Sequence, residues 1–264
     1  MKIAIIGAGN LGLAIAKGII NSNFTETLYI TKRNIETIKE FETSHSIFLT
    51  SDNKTAIKNS EIIIFAVQPK ILPIVLSECK DLLTDTHTII SVVAGFNISK
   101  LEEHIGSNQS IIQAMPNTAI SVNQSMTCLC SNSKGKERIP IALNIFNQLG
   151  HAIEIPEEQM QAATIICSSG IAFWMRIIRA HTLGAIEMGL EPNEAIAMIT
   201  QTCIGAARLL EIKKSNPEQE IDKVTTPGGC TIAGINEMDH QGASSAIIKG
   251  LLASYKKISQ ISNK

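Results

Sequence analysis

Residues 2–12 constrain the chain more than any other stretch. Ile3, Ala4, Ile5 and Ile6 form a short apolar run, the length of a strand buried on both faces. Gly7, Gly9 and Gly12 follow, and Leu13, Ala14, Ile15, Ala16, Ile19 and Ile20 then read as a helix. Strand, glycine turn and helix together give this glycine spacing its meaning as a dinucleotide fingerprint. Gly7 permits the tight turn. Gly9, without a Cβ, lets the backbone approach a pyrophosphate. Gly12 lets helix and strand pack closely. The phosphates would face free N–H groups at the positive end of a helix dipole. The competing reading is a glycine turn that binds nothing, and the strand–turn–helix context weighs against it.

The end of the second strand, Leu28–Ile30, bears on which nicotinamide cofactor would bind. An NAD enzyme places Asp or Glu there, to bond the ribose 2′-OH. This chain has Thr31-Lys32-Arg33-Asn34 instead. Two cations and two hydrogen-bonding side chains suit a 2′-phosphate, so NADPH is expected over NADH. A basic, solvated loop is the plainer alternative. Further strands are expected at Ile47–Leu49, Glu61–Val67, Thr88–Val93, Ser110–Met115 and Met126–Cys130, and a last one at His151–Ile155. Helical stretches separate most of them, with Pro69 opening one helix and Lys136–Leu149 forming another. The alternation predicts a Rossmann-type, doubly wound parallel sheet over residues 1–156. Ligands of such sheets bind outside the carboxyl ends of the strands. The loops carrying Gly9, Arg33, Val67-Gln68-Pro69, Ala94-Gly95 and Met115-Pro116-Asn117 would share that edge.

Composition excludes several other roles. Lys plus Arg number 23 and Asp plus Glu 24, so no basic field is available to hold nucleic acid or an anionic membrane. No apolar run approaches the length of a membrane span, and the first strand starts at Lys2 in place of a leader. The six cysteines are scattered, with none at metal-binding spacing, and read as reduced thiols of a cytoplasmic protein. The histidines are equally dispersed, so no metal site is expected.

After Pro156 the pattern becomes helical, and residues 157–264 form a second domain. Helices are expected at Ile165–Met188, Pro192–Ile212, Cys230–Asp239 and Ala243–Ile261, with a polar, linker-like stretch at Lys213–Thr226. These helices are too apolar all round for the surface of a monomer, which predicts a homodimer or higher homo-oligomer. Thr226-Pro227-Gly228-Gly229-Cys230-Thr231 makes a rigid turn that feeds a helix. Its N–H groups could receive a carboxylate, with hydroxyls from Thr226 and Thr231. An ordinary capped helix start is the alternative.

Taken together, these loops resemble the pyrroline-5-carboxylate reductase family over nearly the whole chain, in order. Gly7-Ala8-Gly9-Asn10-Leu11-Gly12 matches its glycine turn, Lys32-Arg33 its Asn-Arg, and Asn53 its cofactor-contacting Asn. Ala66-Val67-Gln68-Pro69 stands for Ala-Val-Lys-Pro, and Ser91 to Gly95 for Ser-x-x-Ala-Gly. Gln113-Ala114-Met115-Pro116-Asn117-Thr118 and Thr226-Pro227-Gly228-Gly229-Cys230-Thr231 match its two most specific motifs. The resemblance implies NADPH-dependent reduction of 1-pyrroline-5-carboxylate, a small-molecule substrate, to proline. It implies that Gly7, Gly9, Asn10, Leu11, Gly12, Lys32, Arg33, Asn53, Ala66, Val67, Pro69, Ala94 and Gly95 bind NADP. Thr231 would hydrogen-bond the imine nitrogen. Thr226, Gly228, Gly229 and Cys230 would hold the carboxylate, and Met115 and Asn117 would shape the wall by the nicotinamide. No acid–base pair is required, because the iminium arrives protonated or gains its proton from a nearby donor.

The chain departs from the family pattern at Gln113 and Ser244, where the family has Arg, and at Ile171, where it has Pro. Two other readings stay open: a reductase of a different imine, and a non-catalytic NADP-binding paralogue. A β-hydroxyacid dehydrogenase would need a catalytic Lys on the helix entering the second domain, and residues 157–212 contain none.

Overall fold

The computed structural model describes residues 1–22, 25–42 and 44–262. Contacts divide the chain into two units, residues 1–171 with 255–264, and residues 172–254. The division therefore falls at Ile171, beyond the Pro156 where the sequence changes character.

The first unit is built on β1 (Lys2–Ile6), β2 (Thr27–Thr31), β3 (Ile47–Thr50), β4 (Ile62–Phe65), β5 (Thr88–Ser91), β6 (Ser110–Met115), β7 (Ser125–Ser131) and β8 (Gly150–Glu154). They form one sheet in the order β3-β2-β1-β4-β5-β6-β7-β8. β1 to β6 are mutually parallel, while β7 runs antiparallel to β6 and parallel to β8. The antiparallel turn follows from chain length: residues 116–124 are too few for a crossover.

Side-chain alternation puts half of each strand on either face. Ile3, Ile5, Ile30, Ile64 and Ile112 pack under α1 (Asn10–Ser22) and α5 (Ile139–Asn147). Ala4, Ile6, Ile63, Phe65 and Ile89 pack under α2 (Asn53–Lys58), α3 (Leu72–Cys79) and α4 (Ile98–Ile105). Both faces are therefore covered, as a doubly wound sheet requires. β4 is shorter than its apolar run because Ala66 and Val67 belong to the following loop. Pro69 lies in a turn whose Gln68 carbonyl receives the N–H of Ile71, and α3 begins at Leu72 with Pro73 in its first turn.

Beyond β8, α6 (Met160–Ala163), a π-helical segment (Thr164–Ser169) and α7 (Gly170–Glu187) run on continuously. The second unit continues with α8 (Pro192–Lys213), α9 (Pro217–Val224), α10 (Cys230–His240) and most of α11 (Ala243–Ser262). α9 lies where a linker was expected. Asn216 caps it in a reciprocal box with Gln219, and Pro217 suits its first turn. Residues 157–187 and 192–213 prove long and apolar enough to cross a membrane, although charges such as Arg176 and Arg179 interrupt the first. Within the chain, α8 buries only Ala195. Trp174, Met175, Met188, Met198, Ile212 and Leu252 are all more than half exposed.

Candidate functional site

The sheet order reverses direction between β1 and β4, and the loops leaving these strands enclose a cleft of about 630 Å³. Such a switch point is where doubly wound sheets bind ligands. Gly7, Gly9, Lys32, Arg33, Asn53, Ala66 and Val67 all line the cleft. Thr31 holds the glycine turn at its mouth: its hydroxyl accepts the Gly7 N–H at 3.1 Å and its carbonyl the Ala8 N–H at 2.8 Å.

The glycines differ in what they tolerate. Gly7 has φ +102°, and a Cβ there would lie 2.6 Å from the Val67 side chain. A Cβ on Gly12 would collide with the Gly7 carbonyl oxygen. Gly9 has open space where its Cβ would be, so a ligand can approach its backbone. The N-terminus of α1 supplies the adjacent N–H groups, with Asn10 and Leu11 in its first turn.

The basic loop after β2 divides its work. Thr31 is buried and its hydroxyl is occupied by Gly7. Asn34 caps the following 3-10 turn, its side-chain oxygen accepting the Glu36 N–H at 3.2 Å. Lys32 and Arg33 are the cations of this loop that line the cleft, half-buried and exposed respectively. Among the described residues no carboxylate pairs with either; Glu36 is engaged by Lys39. Asn53 opens α2, whose cap is Asp52. Asp52 has its carboxyl held below the usual range by hydrogen bonds from Thr55 and the Lys54 N–H.

Sequence reasoning missed Thr37, Ser51 and Ile71, which share the cleft, while Gln68, placed on this edge by its loop, lines it as well. Pro69 and Ala94 are not among its lining residues, and Gly95 lines a second cavity of about 430 Å³. Phe96, Lys100, Gln113, Met115, Glu157, Glu158 and Thr164 also line this cavity. Gln113, at the family's Arg position, is 5% exposed and accepts a weak hydrogen bond from the Cys130 thiol at 3.6 Å. Glu157 is partly committed, accepting the Ile98 N–H at 2.9 Å at the start of α4. Burial, with Glu157 and Glu154 nearby, pushes the Cys130 thiol up to about 12. No sequence signal joined the two glutamates to Gly95.

Asn117 is more constrained than a wall residue. Its side-chain oxygen accepts the Ala119 N–H, its amide donates to the Cys167 carbonyl at 2.8 Å, and its N–H donates to Ser125 Oγ at 3.1 Å. It therefore fixes the loop behind Met115.

In the helical unit, Thr226 to Gly229 form a type II-like turn. The Gly229 N–H donates to the Thr226 carbonyl at 2.9 Å, and Gly228, at φ +70°, occupies the position that needs glycine. Gly229 then caps α10 without a side-chain bond. Its own N–H is thus occupied by the turn, and the open donors are those of Cys230 and Thr231 in the first turn of α10. Among the described residues no protein group hydrogen-bonds the Thr231 hydroxyl. Ser244 lies in the first turn of α11. His181 bonds the Ile177 carbonyl of its own helix at 2.9 Å.

Comparison with known proteins covers both halves. The pyrroline-5-carboxylate reductase dimerisation family matches residues 157–261, and the coenzyme F420-dependent NADP oxidoreductase family matches residues 2–95. Pyrroline-5-carboxylate reductase 2 of Dictyostelium discoideum is 40% identical over 98% of this chain and 92% of its own length. Pyrroline-5-carboxylate reductase 1 of the same organism is 42% identical over 98% of this chain, which spans 49% of that relative's length. A crystal structure of Plasmodium falciparum pyrroline carboxylate reductase with NADP bound superposes with a TM-score of 0.88. It is 27% identical, over 99% of this chain and 98% of that one. The motif spacing, the two-part architecture and identity along the whole length lead to one family: the chain belongs to the pyrroline-5-carboxylate reductases.

Proposed function

We propose that this protein reduces 1-pyrroline-5-carboxylate to proline with NADPH. The observation that carries the reading is 40% identity to a pyrroline-5-carboxylate reductase across 98% of the chain. Bound NADPH would supply the hydride for the C=N carbon. The residues present fit that cofactor: Gly9 leaves room for the pyrophosphate, and Lys32 with Arg33 suits the 2′-phosphate better than a 2′-hydroxyl.

The helical unit supplies groups for the substrate. Thr226 and the N–H groups of Cys230 and Thr231 would take its carboxylate at the positive end of α10. The Thr231 hydroxyl would bond the imine nitrogen. Gly228 and Gly229 shape the turn that exposes these donors. In the first unit Met115, at the head of the loop that Asn117 holds, would shape the wall by the nicotinamide.

The exposed apolar faces of α7, α8 and α11 are covered, in this reading, by a second copy of the chain. A homodimer or higher oligomer accounts for them without a membrane partner. All six cysteines are free thiols, which fits a reducing compartment such as the cytoplasm.

The test is an NADPH-consumption screen over pyrroline-5-carboxylate and related cyclic imines. The neutral Gln113 in the second cavity gives a different imine its best support, and a higher kcat/KM on one would shift the assignment to it. Cofactor binding without turnover on any imine would make the protein a binding paralogue.

A further inference from the structure

Cys128 and Cys167 line neither cavity and have no part in the chemistry above. Cys128 lies on β7 opposite Met115 and is 2% exposed. Cys167 is half-buried in the π-helical segment Thr164–Ser169. The two are 39 residues apart in sequence, yet their Sγ atoms stand 3.8 Å apart. Both are free. Bonding them requires the sulfurs to close to about 2.05 Å. The shift falls on a π-helical turn, where the regular helical ladder is already interrupted. The neighbouring Cys130 points instead at Gln113.

The contact also polarises the pair. Either sulfur can donate in this contact; the hydrogen bond with Cys128 lowers the Cys167 thiol to about 7 against the effect of burial, and Cys167 is also the more exposed of the two. The same hydrogen bond, together with burial, raises Cys128. A thiolate is the attacking form, so Cys167 is the first to react and Cys128 the one that resolves.

We propose that Cys128 and Cys167 form a redox-active dithiol that a small-molecule disulfide, such as oxidised glutathione, closes to an intramolecular disulfide. The Cys167 thiolate attacks one sulfur of the small disulfide, forming a mixed disulfide and releasing one thiolate. Cys128 then gives up its proton and attacks Cys167 Sγ, displacing the second thiolate. Both leaving thiolates are protonated. The two cysteines lose two electrons and two protons, and the small disulfide is reduced to two thiols. The bridge ties β7 to the segment whose Cys167 carbonyl already accepts the Asn117 amide.

The test is to incubate the intact protein with oxidised glutathione, unfold it, alkylate the remaining thiols and map the peptides by mass spectrometry. The expected product links Cys128 to Cys167, leaves the other cysteines alkylated and reverts with dithiothreitol. In Cys128→Ser, Cys167 should instead retain glutathione as a stable mixed disulfide. Cys128→Ala repeats this arm if the Ser variant does not fold. Full alkylation of Cys128 in the treated wild type, a stable glutathione adduct on wild-type Cys167, or a bridge to Cys130 would each overturn the proposal.

Discussion

Replacing Arg33 with Ala removes one of the two cations that face the cleft behind β2. A charge-assisted hydrogen bond to a phosphate is worth about 1.5–3 kcal/mol. Arg33 is exposed, so water and salt screen it, and the lower end applies: about 1.5 kcal/mol, or about a tenfold rise in the NADPH Kd. Lys32 remains in the same cleft and limits the loss. NADH, which has no 2′-phosphate, should bind almost as before. Arg33→Asp should go further and reverse the preference, because a carboxylate repels phosphate and can bond a ribose hydroxyl. Fluorescence titrations with both cofactors at one fixed ionic strength measure this directly. Equal losses for NADPH and NADH in Arg33→Ala would show that Arg33 does not hold the 2′-phosphate.

Three further predictions address the other parts of the site. Gly12→Ala should destabilise the fold by about 1–3 kcal/mol in urea, since its Cβ meets backbone that cannot yield, whereas Gly9→Ala should keep its stability and lose cofactor affinity. A Gly9→Ala protein that binds NADPH normally would show that no close backbone approach occurs there. Thr231→Ala should lower kcat about five- to a hundredfold with little change in NADPH affinity, because a bond of about 1–3 kcal/mol is lost in the transition state, while Thr231→Ser should keep much of the rate. A drop in melting temperature with unchanged kcat would reduce Thr231 to a helix-start residue. Light scattering at micromolar concentration should give at least a dimer mass, and a monomer mass would leave the apolar faces of α7, α8 and α11 without their proposed cover.

Much of the first unit was legible because its constraints are local. Only a glycine can sit at Gly7 and Gly12, and the short apolar stretches around Ile3, Ile63 and Ile89 have the length and composition of strands buried on both sides. Cys128 and Cys130, two residues apart on β7, share a face in the core, as strand alternation requires. The turn at Pro227 was equally plain. The antiparallel β7 and the helix α9 left signals in the short 116–124 connection and in Asn216-Pro217, and both were overlooked. Other features depend on tertiary contact. Glu157 and Glu158 join Gly95 only because the chain returns past β5 and β6. Asn34, Asn117 and the Gly229 N–H look available as binding groups in sequence, but local hydrogen bonds occupy them. The π-helical segment and the thiol contact it makes have no pattern in the residue types.

The fate of the substrate tests the proposed reaction most directly. Wild-type protein, NADPH and 1-pyrroline-5-carboxylate should be mixed, and proline quantified against NADPH consumed. The proposed reaction predicts proline formed mole for mole with NADPH oxidised, at a kcat/KM above that for other cyclic imines. Saturating pyrroline-5-carboxylate that leaves NADPH unoxidised, or oxidation without proline, would contradict it.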